Sequence, residues 1–124
     1  MSFDWKEYLN LAKYIHDKQG SDFSSEASYR CAVSRAYYSA FCYALNHAVD
    51  FLGYSKSSTP QDDHGKLKAY FKQKRRNDIA IALDQLRQWR NLCDYENNVA
   101  SLPDLVAGAF IKAEKIINSL ATSE

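Results

Sequence analysis

From Ser25 to Leu52 the chain carries neither glycine nor proline, and its apolar side chains fall on two opposite sides of a helix. At about 100° per residue one face collects Ala27, Cys31, Ser34, Tyr38, Phe41, Cys42, Leu45, Val49 and Leu52. The opposite face collects Tyr29, Val33, Ala36, Ala40, Tyr43 and Phe51, and also carries His47. A helix of this length, roughly 40 Å at 1.5 Å per residue, cannot lie on a surface when both sides are apolar. It must run through the middle of a bundle, or between a bundle and a second subunit, with Gly53 as its stop.

The remaining segments supply the partners. Residues 3–18 place Trp5, Tyr8, Leu9, Ala12 and Ile15 on one face, and Gly20-Ser21-Asp22 ends that helix. The longest loop, GYSKSSTPQDDHG, leads into Thr59-Pro60-Gln61-Asp62, in which Thr caps, Pro takes the first helical position and Asp complements the dipole. A third helix then runs to about Arg75. Asn77-Asp78 starts a fourth over residues 78–94, and Ser101-Leu102-Pro103-Asp104 repeats the start signal for a fifth. Its stripe of Leu102, Leu105, Val106, Ala109, Phe110, Ala113, Ile116, Ile117 and Leu120 is the cleanest in the chain. No segment alternates with strand period, so the sequence predicts an all-α, mostly antiparallel bundle of four to five helices forming one domain over residues 1–124.

Charge and cysteine usage narrow the partners. With 16 basic against 15 acidic residues, the whole-molecule field attracts neither nucleic acid nor an anionic membrane, and any such partner needs a local patch. Cys31, Cys42 and Cys93 form no CxxC pair and no zinc spacing, which predicts no disulfide framework, no structural metal and a reducing, cytoplasmic setting. The first residues, MSFDWKEYLNLAKYIHDK, are charged throughout and do not read as a secretory signal, and no run reaches the length of a membrane span. Neither a phosphate-binding glycine loop nor a Ser/His/Asp order nor a glycosidase-like carboxylate pair is present, and no cofactor is expected.

One residue breaks the apolar pattern. Ile79, Ala82, Leu83, Leu86 and Cys93 share a helical face, and Arg90 projects onto it between Leu83 and Leu86. A buried guanidinium needs a partner, a subunit contact or an incoming anion. Asp94, four residues on, shares its face and is the nearest partner by spacing, with Asn91, Tyr95 and Asn97 as hydrogen-bonding neighbours.

On the long helix, Ser34-Arg35-Ala36-Tyr37-Tyr38 puts Arg35 at the shoulder of the core stripe, able to reach a groove or to pair with Asp94, with Tyr38 as amphipathic packing. Lys66, Lys68, Lys72, Lys74, Arg75 and Arg76, interleaved with Tyr70 and Phe71, form either a phosphate-neutralising run or a solvated helix face. His64 sits beside Asp62 and Asp63, where a modest shift moves its titration across neutrality.

Taken in order, SRAYYSAFCYAL, HGKLKAYF, RNLCDYEN and the final apolar helix resemble the HEPN domain, the helical domain named for higher eukaryotes and prokaryotes nucleotide-binding. The resemblance covers nearly the whole chain. It implies a homodimer whose long helix and arginine-bearing helix line a cleft, and in many members a metal-independent endoribonuclease that acts as a toxin paired with a nucleotidyltransferase antitoxin. The family's signature is an arginine, a polar residue that is commonly asparagine, and then a histidine four to six residues beyond the arginine. Arg90 and Asn91 occupy the first two places, whereas Tyr95, Glu96 and Asn97 stand where the histidine belongs. The resemblance therefore points to the subgroup with arginine followed by Asp-Tyr.

Two functions follow. In the first, Arg90 from each subunit holds a scissile RNA phosphate, Asn91 assists and Tyr95 or His64 transfers the proton, with Arg35, Tyr38 and Asp94 shaping the cleft. In the second, the same cleft binds a nucleotide without cleaving it, or the domain serves as partner to a nucleotidyltransferase.

Overall fold

The structure, a computed structural model, describes residues 3–18 and 22–124. Among them are five helices: α1 (Lys6–Asp17), α2 (Ser25–Phe51), α3 (Pro60–Gln73), α4 (Asn77–Tyr95) and α5 (Leu102–Ala121). Gly20 and Ser21, the expected end of the first helix, lie outside the described residues. No helix among them is long and apolar enough to cross a membrane. Cys31, Cys42 and Cys93 are all free.

The helix α2 is the centre of the bundle and touches the other four. Ser24 caps it, its hydroxyl oxygen accepting from the Ala27 N–H at 3.1 Å. Along it Ala32, Ala36, Ala40, Ala44 and Ala48 recur every four residues and are all completely buried. Side chains this small let the neighbouring helices pack close against the α2 backbone. The second apolar face is thus filled from within the same chain. Ala36 and Ala40 lie in the core, so that part of α2 cannot be a contact with a second subunit. Burial fails only toward the helix ends, where Ala27, Cys31, Val49 and Phe51 are exposed, because the covering helices reach only the central turns.

The other helices fit the periodic reading. In α5 Leu102, Val106, Ala109, Ala113, Ile116, Ile117 and Leu120 are buried. Gly108 sits under Trp89 of α4, and a Cβ there would stand 3.1 Å from the indole. In α1 only Leu9 and Ala12 enter the core. Trp5 and Tyr8, expected beside them, remain partly exposed and line cavities instead.

Left-handed residues set three helix boundaries, at Gly53 as expected and at Arg75 and Ser101 in departure from the sequence signals. At Gly53, φ is 77°, and the Tyr54 N–H reaches back to the Ala48 carbonyl at 3.0 Å. At Arg75 φ is 61°, which ends α3 two residues early. There the N–H groups of Arg75 and Arg76 close onto the carbonyls of Lys72 and Phe71, and α4 begins directly, with Arg76 rather than Asn77 at its cap. Ser101 is also left-handed, at φ 54°, so its side chain makes no cap and its carbonyl alone accepts from Asp104 and Leu105. The Thr59 hydroxyl likewise makes no cap to the backbone, but donates to the Asp62 carboxylate at 2.6 Å.

Candidate functional site

Four helices meet around a cleft of about 680 Å³. Trp5, at the N-cap of α1, Tyr38 and Phe41 of α2, Asp63 and His64 of α3, and Arg90 and Tyr95 of α4 line it, with Lys56 from the loop before α3. The Trp5 carbonyl is fixed by the hydroxyl of the buried Ser39, at 2.6 Å, which ties the start of α1 to α2.

Arg90 is 9% exposed and stands amid aromatic rings. Its guanidinium carbon lies 5.5, 5.2 and 5.9 Å from the ring centroids of Tyr37, Tyr38 and Tyr95. Nη1 donates to the Asn91 side-chain oxygen at 3.0 Å and Nη2 to the Tyr38 hydroxyl at 2.8 Å. Both acceptors are neutral. The expected partner Asp94 is near, with Oδ2 3.7 Å from Nε, yet Nε is buried and makes no hydrogen bond. The Asp94 carboxylate also accepts from the Ser34 hydroxyl at 3.4 Å. Arg90 is therefore a cation oriented by neutral groups and only loosely paired, an arrangement that retains affinity for an anion.

On the opposite side of the pair Tyr37-Tyr38, the Tyr37 hydroxyl is hydrogen-bonded to Nδ1 of His64. The His64 imidazole stacks on Phe41 at 4.2 Å and on Tyr37 at 5.6 Å. Burial, followed by the positive charges of Arg87 and Arg90, holds His64 below its ordinary value of 6.5, against the smaller opposing pull of Asp63. The neutral ring is thus the favoured form. Adjacent residues on α2 sit about 100° apart, which is why Tyr37 serves His64 while Tyr38 serves Arg90.

The neighbouring Asp63 is 1% exposed, and its Oδ1 accepts from both the Tyr54 hydroxyl at 2.6 Å and the Ser57 N–H at 3.0 Å. Desolvation opposes its ionisation, but these bonds and Lys66 outweigh it and keep the carboxyl below its ordinary range. The Tyr54 phenol, desolvated and bonded to that carboxylate, is pushed up to about 12. This assembly fixes the loop from Tyr54 to Ser57 as one rim of the cleft.

The other sequence candidates separate. Asn91 is exposed and acts through Arg90, away from the cleft lining. Tyr95 is at the rim, 74% exposed. Arg35 does not pair with Asp94. Its guanidinium carbon sits 5.4 and 5.3 Å from the rings of Tyr8 and Tyr38, so that α1 supplies part of its surroundings.

The basic run of α3 is largely occupied internally. Lys68 pairs with Asp84 at 3.1 Å, Lys66 reaches the Ser57 hydroxyl, Lys74 lies over Tyr70, and Arg76 pairs with Asp78. His47 is buried against Phe51, 3.2 Å from Glu124, outside this site. Among the described residues no group of three His, Cys, Asp or Glu could hold a metal ion.

Sequence reasoning missed Arg30. Paired with Glu26 at 3.1 Å, it reads as an ordinary surface couple. Its Nη groups in fact donate to the carbonyls of Cys93, Glu96 and Asn97 at 3.0, 2.6 and 3.1 Å. A cation at a helix C-terminus satisfies carbonyls that have no intrahelical partner. Arg30 therefore anchors the end of α4, one turn beyond Arg90.

No protein-family model, curated protein or solved structure matches the chain.

Proposed function

We propose that the cleft beside Arg90 receives an RNA phosphate and that the chain is a HEPN-like, RNA-targeting module acting as a homodimer. The observation that carries this reading is that a buried, loosely paired guanidinium from α4 and a neutral imidazole from α3 line one aromatic cleft. Arg90 offers planar donors to the non-bridging oxygens of a phosphodiester. In the tautomer that donates Nδ1–H to the Tyr37 oxygen, Nε2 of His64 is a free base. His64 then takes the proton of the 2′-hydroxyl as the bond from the 2′-oxygen to phosphorus forms. The bond from phosphorus to the 5′-oxygen breaks, that oxygen takes a proton from water, and the products are a 2′,3′-cyclic phosphate and a 5′-hydroxyl end. Tyr95, on the open rim, fits a stacking role better than proton transfer.

Leu92 and Tyr95, both exposed beside Arg90 at the end of α4, support docking of a second copy there. The free cysteines support a reducing, cytoplasmic setting.

A second reading, nucleotide binding without cleavage or partnership with a nucleotidyltransferase, is favoured by the internal bonds that Arg90 and His64 already make. One assay separates the two. Labelled RNA is incubated with the protein in chelator beside Arg90→Ala and His64→Ala. Cleavage leaving a cyclic phosphate, slowed about 100-fold or more in each variant, supports the nuclease. Cleavage equal in Arg90→Ala overturns it, and Arg90-dependent binding without cleavage leaves the second reading.

A further inference from the structure

Arg35 is not absorbed by the site as described. It is half-buried on α2 and, among the described residues, is paired with no carboxylate. Arg30 and Arg76, by contrast, are both bound to carboxylates. Arg35 lines a shallower cavity of about 290 Å³ with Trp5, Tyr8, Tyr38 and Cys42. Three of those residues, Trp5, Tyr38 and Cys42, also line the main cleft, so the two cavities share a wall. Tyr38 is the shared element for charge as well. Its ring centroid lies 5.3 Å from the Arg35 guanidinium carbon and 5.2 Å from that of Arg90.

We infer that the two cavities together form one track for single-stranded RNA, with one phosphate at Arg90, a neighbouring phosphate at Arg35 and a base against Trp5 in the wall that the cavities share. This deepens the proposed function and rests on it. Two cations on either cavity of one shared wall match successive phosphates of a chain, which selects an oligonucleotide over a mononucleotide. The wall between them is aromatic, and aromatic faces take unstacked bases, which a duplex does not offer.

The test measures binding of 5′-AMP, a fluorescent hexa-adenylate RNA and a duplex RNA at about 50 and 200 mM salt. The proteins are the full chain, Arg35→Gln, Arg35→Lys and Arg90→Gln, each checked for an unchanged circular dichroism melt. Arg35→Gln is expected to weaken the hexamer roughly tenfold and to reduce the slope of log affinity against log salt by about 0.7, the contribution of one single-strand phosphate. Binding of 5′-AMP stays unchanged, Arg35→Lys restores the slope, and the duplex binds more weakly than the hexamer. Arg90→Gln weakens both 5′-AMP and the hexamer.

If Arg35→Gln leaves hexamer affinity and slope unchanged, or weakens 5′-AMP equally, the track is overturned while the phosphate site at Arg90 stands. If Arg35→Gln does not fold, Arg35→Lys carries the test: hexamer binding and slope retained support the track, and tenfold weakening with a retained slope overturns it in favour of a packing role. Failure of the full chain to bind any of the three probes at either salt overturns the proposed function and the track with it.

Discussion

Asp63 and Arg90 are buried charges on two walls of the same cleft, and the protein treats them in opposite ways. The carboxylate of Asp63 has a hydroxyl and a backbone N–H within 3.0 Å. The guanidinium of Arg90 has neutral acceptors on two nitrogens, a carboxylate held off at 3.7 Å and one nitrogen with none. A charge whose short bonds both go to the loop before α3 serves to hold that loop. An incompletely compensated one keeps its attraction for an anion and costs stability to maintain. Burial alone does not separate a structural charge from a functional one. What its hydrogen bonds hold in place does.

The first way to break that contrast is Asp63→Ala. It strands the Tyr54 hydroxyl and the Ser57 N–H, and is expected to lower the unfolding free energy by about 3 kcal/mol. Urea denaturation measures this, with Asp63→Asn losing less because one acceptor oxygen remains. An unchanged midpoint for Asp63→Ala would show that the carboxylate wall is not structural.

Next in size is Arg30→Ala. Its loss frees three carbonyls at the end of α4 to water, at an expected cost of about 1–2 kcal/mol. Hydrogen exchange should quicken at Cys93 to Asn97 ahead of the rest of α4, and uniform protection along the helix would deny Arg30 its anchoring role.

How much of this was legible depends on whether the cause lies along the chain or across it. The Arg90 anomaly and its i,i+4 relation to Asp94 are properties of one helix, and both appear in the structure. The stop at Gly53 and the α5 stripe are equally local. Arg35 misled because its environment comes from another helix: Tyr8 of α1 reaches it, and no spacing on α2 encodes that. Arg30 was hidden for the same reason, since three carbonyls more than sixty positions away leave no mark on its own segment. At Ala40 the sequence left two alternatives open, and the structure takes the first. Two apolar faces established that α2 is covered on both sides, but the pattern could not say that its own chain covers them.

Arg90→Met sharpens the contrast from the functional side. Removing a loosely paired buried cation and filling its volume is expected to change stability by no more than about 1 kcal/mol, while abolishing phosphate-dependent RNA binding. A loss as large as that of Asp63→Ala would make Arg90 as structural as its counterpart.

The smallest effect is in the pH dependence, where the two walls titrate in separate windows. His64 has a folded-state value below its ordinary 6.5, so the folded protein binds fewer protons there than the unfolded chain. Its contribution is present in full above 6.5 and is lost as the pH falls below that value, because a proton then favours the unfolded state. Asp63 and Asp78 are both held below 3.8, so their contributions survive this window and disappear only as the pH drops below 3.8. Thermal unfolding across this range should show a first decline beginning near pH 6.5 and a second, steeper one at acid pH. His64→Gln keeps a polar partner for Tyr37 but cannot titrate, and is expected to remove the first decline while leaving the second. If the first decline persists in His64→Gln, the neutral imidazole is not what the aromatic stack of Tyr37 and Phe41 maintains, and its fitness as a base in the cleft goes with it.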